Sequence, residues 1–202
     1  MLLINTKGKD FKQYIKSLTD NSRHQYRISR NKNRDVKYSK AIYNEEQMNT
    51  FMRMWEQQLI RGTRRHWAFP VGYVTEMEKK GLVKCFTAVK QGEVIALQFV
   101  EQHGSYVECH PVMWDKSKYA KRDIAKFMWF SLIEYFIKLD GVDWLNLGCR
   151  GDNWQDSIIR RKEFPEATYK WVYVPQEVKE HPEKEPKYSI KIENKKKILY
   201  IK

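Results

Sequence analysis

The chain contains no run of about 18 apolar residues, so a membrane-spanning helix is not expected. Its opening, MLLINTKGKDF, holds a short apolar patch without a small-residue cleavage site, and no secretory leader is expected. Cysteine is scarce: Cys85, Cys109 and Cys149 form neither a C-x-x-C pair nor an even set. They read as free thiols of a reducing cytoplasm. The five histidines show no H-x-x-x-H spacing, so no metal site is expected. No internal repeat is visible. Aromatics, by contrast, are plentiful, with 7 Trp, 12 Tyr and 9 Phe in 202 residues. That content excludes a disordered chain, and the length suits one domain with a sizeable core.

Acidic residues are also in deficit. Asp plus Glu is 25 against 38 Lys plus Arg, a net charge of +13. Residues 1–40 hold 11 basic and 3 acidic side chains, residues 41–175 hold 19 and 17, and residues 176–202 hold 8 and 5. This asymmetry divides the chain into a basic N-terminal arm (1–40), a nearly neutral body (41–175) and a linker with a terminal hairpin (176–202). It points to a polyanion partner, most simply nucleic acid (DNA or RNA) or an acidic lipid surface. A solvated basic face is the alternative.

Phe11, Ile15 and Leu18 recur at helical spacing. Thr19 or Asp20 is placed to cap a second helix to about Lys32, on which Arg23, Arg27, Arg30 and Arg34 would form a guanidinium stripe. Asn44 caps a third helix whose apolar face is Met48, Phe51, Met52, Trp55 and Leu59. A basic-aromatic loop follows, with Arg64, Arg65, Trp67 and Phe69, and then a short helix over about 72–80. Strands are expected over 82–90, 94–101 and 105–113, with turns at Gln91-Gly92 and His103-Gly104, as an antiparallel meander. Residues 123–139 are apolar nearly all round, the mark of a buried helix. Residues 142–147 read as a strand parallel to the third strand of the meander. A loop carries Cys149, and a helix over 154–163 and a strand over 169–174 follow. Alternation around Asn194-Lys195 predicts a terminal hairpin docked on a sheet edge.

Three stretches carry a resemblance: FKQYIKSLTDNSRHQYRISRNK, QGEVIALQFVEQHGSYVECHPVMW and IAKFMWFSLIEYFIKLDGVDWLNLG. With the order of elements, they are similar to the GNAT acyltransferase superfamily, and in local sequence to its FemAB-like (CelD-type) branch, over about residues 9–175. The resemblance implies an α+β fold: a mixed, mostly antiparallel sheet flanked by helices, with a splayed parallel strand pair, here followed by a C-terminal β-hairpin. It implies an acyltransferase that uses acyl-CoA (acetyl-CoA) or aminoacyl-tRNA as donor. Acetyl-CoA-binding members carry glycines just before the core helix, where backbone N–H groups approach a pyrophosphate. Here that stretch, residues 118–125, contains no glycine. Lys118, Lys121 and Arg122 could grip phosphate by charge, with Asp123 opposing it.

Acyl transfer to an amine needs a base, an oxyanion donor and an acid for the leaving group. Alternation puts Tyr106, Glu108 and His110 on one strand face. The resemblance places the base on this strand, with Glu108 the first choice and His110 the second. The plainer readings are a strand carboxylate paired with an arginine, and a hydrogen-bonded histidine before Pro111. The resemblance puts the carbonyl-binding N–H groups at Val112, Met113 and Trp114, and the acid at Tyr169 or Ser157. Cys149 beside Arg150 reads as an acyl-cysteine nucleophile or as a plain loop thiol. Asp152 reads as an amine ligand or as a helix cap. Arg23, Arg27, Arg30, Arg34, Arg64 and Arg65 are the expected nucleic-acid contacts, with Trp67 and Phe69 stacking on bases or capping the core. The expected activity is N-acyl transfer on or near nucleic acid. A nucleic-acid base-modifying enzyme of phage Mom type and an inactive nucleic-acid-binding module are the alternatives.

Overall fold

The computed structural model describes residues 3–60, 71–147, 172–173, 188–193 and 196–201. The chain forms two compact units. The first comprises Met1–Tyr26, Gln102–Cys109 and Ile133–Lys202, the second Arg27–Glu101 and His110–Leu132.

In the first unit, β1 (Leu3–Asn5) runs antiparallel to β7 (Trp144–Asn146), with Ile4 opposite Leu145. The apolar patch at the chain start is thus a sheet strand. Thr6 continues the pairing: its N–H donates to Asp143 O (2.8 Å) and its hydroxyl to Val142 O (2.7 Å). On its other side β7 is parallel to β5 (Tyr106–Cys109), with pairs Tyr106↔Trp144, Val107↔Leu145 and Glu108↔Asn146. The expected parallel neighbours are present, and their register stops at Glu108↔Asn146. Helix α1 (Phe11–Ser17) is capped by the Asp10 carboxylate, which accepts from Lys12 and Gln13 N–H. Phe11, Tyr14 and Leu18 are its buried stripe. Helix α2 (Asp20–Lys32) starts in this unit, with Thr19 Oγ1 accepting from Ser22 N–H at 3.3 Å, and continues into the second. A separate sheet in the first unit has the order β8 (Val172–Tyr173), β10 (Lys196–Ile201), β9 (Tyr188–Glu193). The terminal hairpin forms as expected, and its sheet partner is β8, to which β10 is parallel.

In the second unit, β2 (Lys37–Ala41) pairs antiparallel with β3 (Val83–Lys90), and β3 with β4 (Glu93–His103), whose last two residues belong to the first unit. Gln91 and Gly92 both have positive φ, 51° and 82°. This is the two-residue turn whose twist suits a tight hairpin. β2 is missed by the sequence pattern because Lys37-Tyr38-Ser39-Lys40-Ala41 has no apolar alternation. It closes the strand order, where lysines protect an edge from pairing with other chains. β2 spans the boundary drawn at residue 40, so the first 40 residues supply sheet as well as helices.

The expected third strand of the meander breaks into β5 and β6 (Met113–Trp114), which pairs with Leu97 and Ala96 of β4. Pro111 lies at the break, where it has no N–H to offer a ladder. Helices α3 (Glu45–Ile60) and α4 (Val71–Lys79) cover one sheet face. Phe51, Trp55 and Val74 join Cys85, Leu97, Phe99 and Met113 in one buried cluster. Asn44 Oδ1 accepts from Gln47 N–H at 2.9 Å, the expected cap of α3. Helix α6 (Ile124–Lys138) buries Ile124, Phe127, Met128, Trp129, Phe130, Leu132, Ile133 and Phe136, which bears out its all-round apolar pattern. Among the described residues no helix is long and apolar enough to cross a membrane.

Burial pushes the Cys85 thiol up to about 12. Burial, with the Glu108 charge second, holds the Cys109 thiol well above its ordinary value. Thiolate is the reactive form, so both should be inert in the native state. In a Cys149→Ser background at pH 8, a chromogenic disulfide reagent is expected to label neither thiol until denaturant is added. Rapid stoichiometric labelling of the native protein would contradict the packing described.

Candidate active site

Glu101 follows Phe99 by two residues on β4, so its side chain lies on the face that α3 and α4 cover. It is 2% exposed. A carboxylate so buried must have both oxygens matched. His110 Nε2 lies 2.5 Å from Oε1, and the Tyr73 hydroxyl, from the first turn of α4, donates to Oε2 at 2.9 Å. His110 itself is held from its backbone. Its N–H donates to Phe99 O at 3.0 Å, and its carbonyl accepts from the side-chain amide of buried Gln98 at 2.8 Å. Its imidazole retains 14% exposure. All of these residues belong to the second unit.

Of the two expected bases, His110 is therefore backed by a buried carboxylate. Glu108 is half-buried in the first unit, opposite Asn146 in the parallel register. There Asn146 Nδ2 donates to the buried Tyr106 hydroxyl at 2.8 Å. Just after the expected N–H donors, Asp115 N–H donates to Ile95 O at 3.2 Å. Antiparallel ladders alternate, so with Trp114 opposite Ala96 and Met113 opposite Leu97, Met113 N–H faces β4 and Trp114 N–H faces away. Val112 is buried just before β6.

The segment before α6 is bolted by ion pairs. Asp115 caps the short helix α5 (Lys116–Tyr119), and a 3₁₀ turn, Ala120–Arg122, leads to Asp123. Asp123 has φ 53°, the left-handed region that favours glycine. Its carboxylate meets Lys32 at 2.6 Å and Lys126 at 3.6 Å. Arg122 meets Asp35 at 2.5 Å and donates to Lys32 O, and Lys90 meets the same Asp35 at 3.0 Å. Hydrogen bonds from Arg122 and Lys90 hold the Asp35 carboxyl well below the carboxylate range. Asn33 Nδ2 bonds Arg122 O at 2.6 Å, and Lys118 meets Glu93 at 2.9 Å. Lys121 is exposed.

The four arginines expected along and just beyond α2 differ in their surroundings. Arg23 bonds Asp20 and Lys16 O. Arg30 lies over the Phe127 ring, 5.5 Å from its centroid. Arg27 and Arg34 are exposed, Arg34 donating to Asn31 Oδ1 at 3.0 Å. Arg64, Arg65, Trp67, Phe69, Cys149, Asp152, Ser157 and Tyr169 lie outside the described residues. Among those described, no group of three or more His, Cys, Asp or Glu is placed to hold a metal.

The profile of the acetyltransferase (GNAT) domain matches residues 20–156, more than half of the chain. The chain belongs to the GNAT family. It is an acyltransferase by that membership, and its open, mostly antiparallel sheet with one parallel pair is the GNAT fold. FemX has a similar fold, with a TM-score of 0.57 at 8% identity over 78% of this chain; the match spans 57% of FemX. The C-terminal domain assigned to a lysylphosphatidylglycerol synthetase of Agrobacterium fabrum aligns with a TM-score of 0.49 at 12% identity, over 82% of this chain and 51% of that one. An aminoglycoside acetyltransferase from an uncultured soil metagenomic sample aligns with a TM-score of 0.46 at 10% identity, over 71% of this chain and 95% of that one. No curated protein matches the sequence. The likeness to FemX is one of fold.

The GNAT family implies an acyl donor. Where its CoA-binding members admit a pyrophosphate, this chain holds a negative charge of its own, since the Asp123 carboxylate stands at the start of α6, where the helix dipole favours an anion. Lys118 and Arg122 are matched by Glu93 and Asp35. The described residues of this segment do not fit a CoA pyrophosphate. Sequence reasoning missed Glu101 and Tyr73. The usable signal for Glu101 was a lone acid ending the apolar run IALQFV.

Proposed function

We propose that the chain is an N-acyltransferase in which His110, backed by Glu101, is the general base. The contact of His110 Nε2 with Glu101 Oε1 at 2.5 Å carries this reading. A carboxylate only accepts, so Nε2 bears the hydrogen of this contact, and the base role falls to Nδ1. The acceptor ammonium gives one proton to Nδ1, and the freed nitrogen lone pair forms the bond to the donor carbonyl carbon. The donor's C–O or C–S bond then breaks, and the leaving group takes the second proton that the attacking nitrogen sheds. The imidazolium formed at His110 is stabilised beside a carboxylate in a dry setting, where the attraction is stronger than in water. Trp114 N–H, turned away from β4, is the favoured oxyanion donor.

The acyl group arrives on RNA, as an aminoacyl ester, rather than on CoA. The matched charges before α6 support this, as does the cationic surface of the second unit, where Arg27, Arg34, Lys37, Lys40 and Lys121 are exposed. Burial, and secondarily the Lys40 ammonium, depress Lys84. Thermal-shift measurements with coenzyme A, acetyl-CoA and deacylated tRNA test the donor. tRNA is expected to raise Tm, and the CoA compounds are not. Binding should weaken linearly with log salt, and the double variant Arg27→Ala/Arg34→Ala should lower that slope by about 2. Stabilisation by CoA alone would overturn the RNA donor. Binding of nucleic acid without turnover on any donor would favour the inactive-module reading.

A further inference from the structure

Asp123 stands where α6 begins, and its carbonyl accepts the first bond of that helix, from Phe127 N–H at 3.1 Å. Its φ of 53° is a conformation that glycine adopts freely and most side chains resist. The carboxylate is therefore not there to suit the backbone. Nor is it needed to fasten the segment. Arg122 O accepts from the buried Asn33 side chain at 2.6 Å, and Arg122 Nη1 donates to Lys32 O at 3.2 Å. With the Arg122–Asp35 pair, these bonds already tie the turn before α6 to the end of α2, all within the second unit. The pair of Asp123 with Lys32 is partly open to solvent, the side chains being 28% and 46% exposed, and such pairs add little to stability. What the carboxylate does is fill a place that would otherwise draw an anion in: a helix start flanked by Lys32 at 2.6 Å and Lys126 at 3.6 Å.

We propose that Asp123 is a specificity-determining residue: its carboxylate stands in for the anion at the start of α6 and so bars a donor that carries a pyrophosphate, such as coenzyme A or its thioesters. The inference rests on the donor reading above for its bearing on acyl transfer, and it names the side chain that enforces that choice. Exclusion itself is a matter of binding and needs neither His110 nor turnover. A pyrophosphate brought to this place meets a like charge and has to draw Lys32 and Lys126 away from the carboxylate. Removing the carboxylate reverses both effects. The local charge becomes more positive, and the two lysines turn from Asp123 to the incoming phosphates.

The test is calorimetric titration of the full chain with coenzyme A and with inorganic pyrophosphate, for wild type, Asp123→Gly and Asp123→Asn. Glycine removes the charge and suits the positive φ; asparagine, which also tolerates that region, removes the charge and keeps the size. Wild type should bind both ligands weakly. Asp123→Gly should bind both at least about tenfold more tightly, the gain expected from one charge-assisted bond, and Asp123→Asn should gain less. Pyrophosphate should displace coenzyme A from Asp123→Gly, and Lys32→Ala in that background should abolish the gain. Cooperative melts identify the folded variants, and either substitution at Asp123 is enough to decide. Affinities equal to wild type overturn the exclusion, and a gain that survives Lys32→Ala overturns the placement of the anion. A gain in Asp123→Gly beside a tRNA that does not stabilise wild type retains Asp123 as the excluding residue and removes the RNA donor. Stabilisation by tRNA without any gain does the reverse, so the two failures are told apart.

Discussion

His110→Gln is expected to lower kcat/KM for acyl transfer by about 10²–10⁴-fold, the contribution typical of a positioned acid–base group. Glutamine keeps an N–H that can serve Glu101 Oε1, so folding should be nearly intact and the loss should fall on kcat. His110→Ala removes both functions. It leaves the Glu101 carboxylate, at 2% exposure, without its His110 contact. Removing one member of a buried pair costs about 3–5 kcal/mol, so this variant should lose stability as well as turnover. Steady-state kinetics and denaturant melts on the two variants separate the effects. Full turnover in His110→Gln would end the case for His110 and return Glu108, tested as Glu108→Gln, to first place.

Phe99→Ala should destabilise the protein by about 3–5 kcal/mol, the usual cost of emptying a buried phenylalanine site. Phe99 is fully buried and touches the Phe51 ring at 4.9 Å and the Tyr43 ring at 5.5 Å between centroids. Its carbonyl also receives His110 N–H, so the damage should extend to turnover even at temperatures where the variant is folded. Ile42, 85% exposed, is the control. Ile42→Ala should stay within about 0.5 kcal/mol. Guanidinium midpoints of the three proteins give the comparison, and a loss below about 1 kcal/mol for Phe99→Ala would mean that α3 does not pack on this sheet face as described.

Much of the scaffold was legible because its signals are local. Phe11 and Leu18, the run from Ile124 to Phe136, and the Gln91-Gly92 turn each follow from a period or a turn chemistry contained in a few residues. β1 and β2 were not legible. Leu3–Asn5 is too short to show a period, and Lys37–Ala41 is written for an edge rather than a core. The third strand of the meander read as continuous, although Pro111 marked the place where it divides. Within the site, His110 was visible as a polar residue on the right strand face, but its carboxylate was not. Glu101 looked like an ordinary polar strand end ahead of the His103-Gly104 turn.

The amino-acid sequence by itself determined the element types, the meander, the buried central helix, the excess of positive charge and the absence of glycine before α6. Tertiary structure alone decided which charges meet. Tyr73 and Glu101 are 28 residues apart, Arg122 and Asp35 87, and Lys32 and Asp123 91. Such pairs depend on strand register and helix placement across the chain, and no local period encodes them. A lysine or arginine reads the same in sequence whether it awaits a phosphate or already faces an aspartate, because its free energy is set by the partner that folding brings to it.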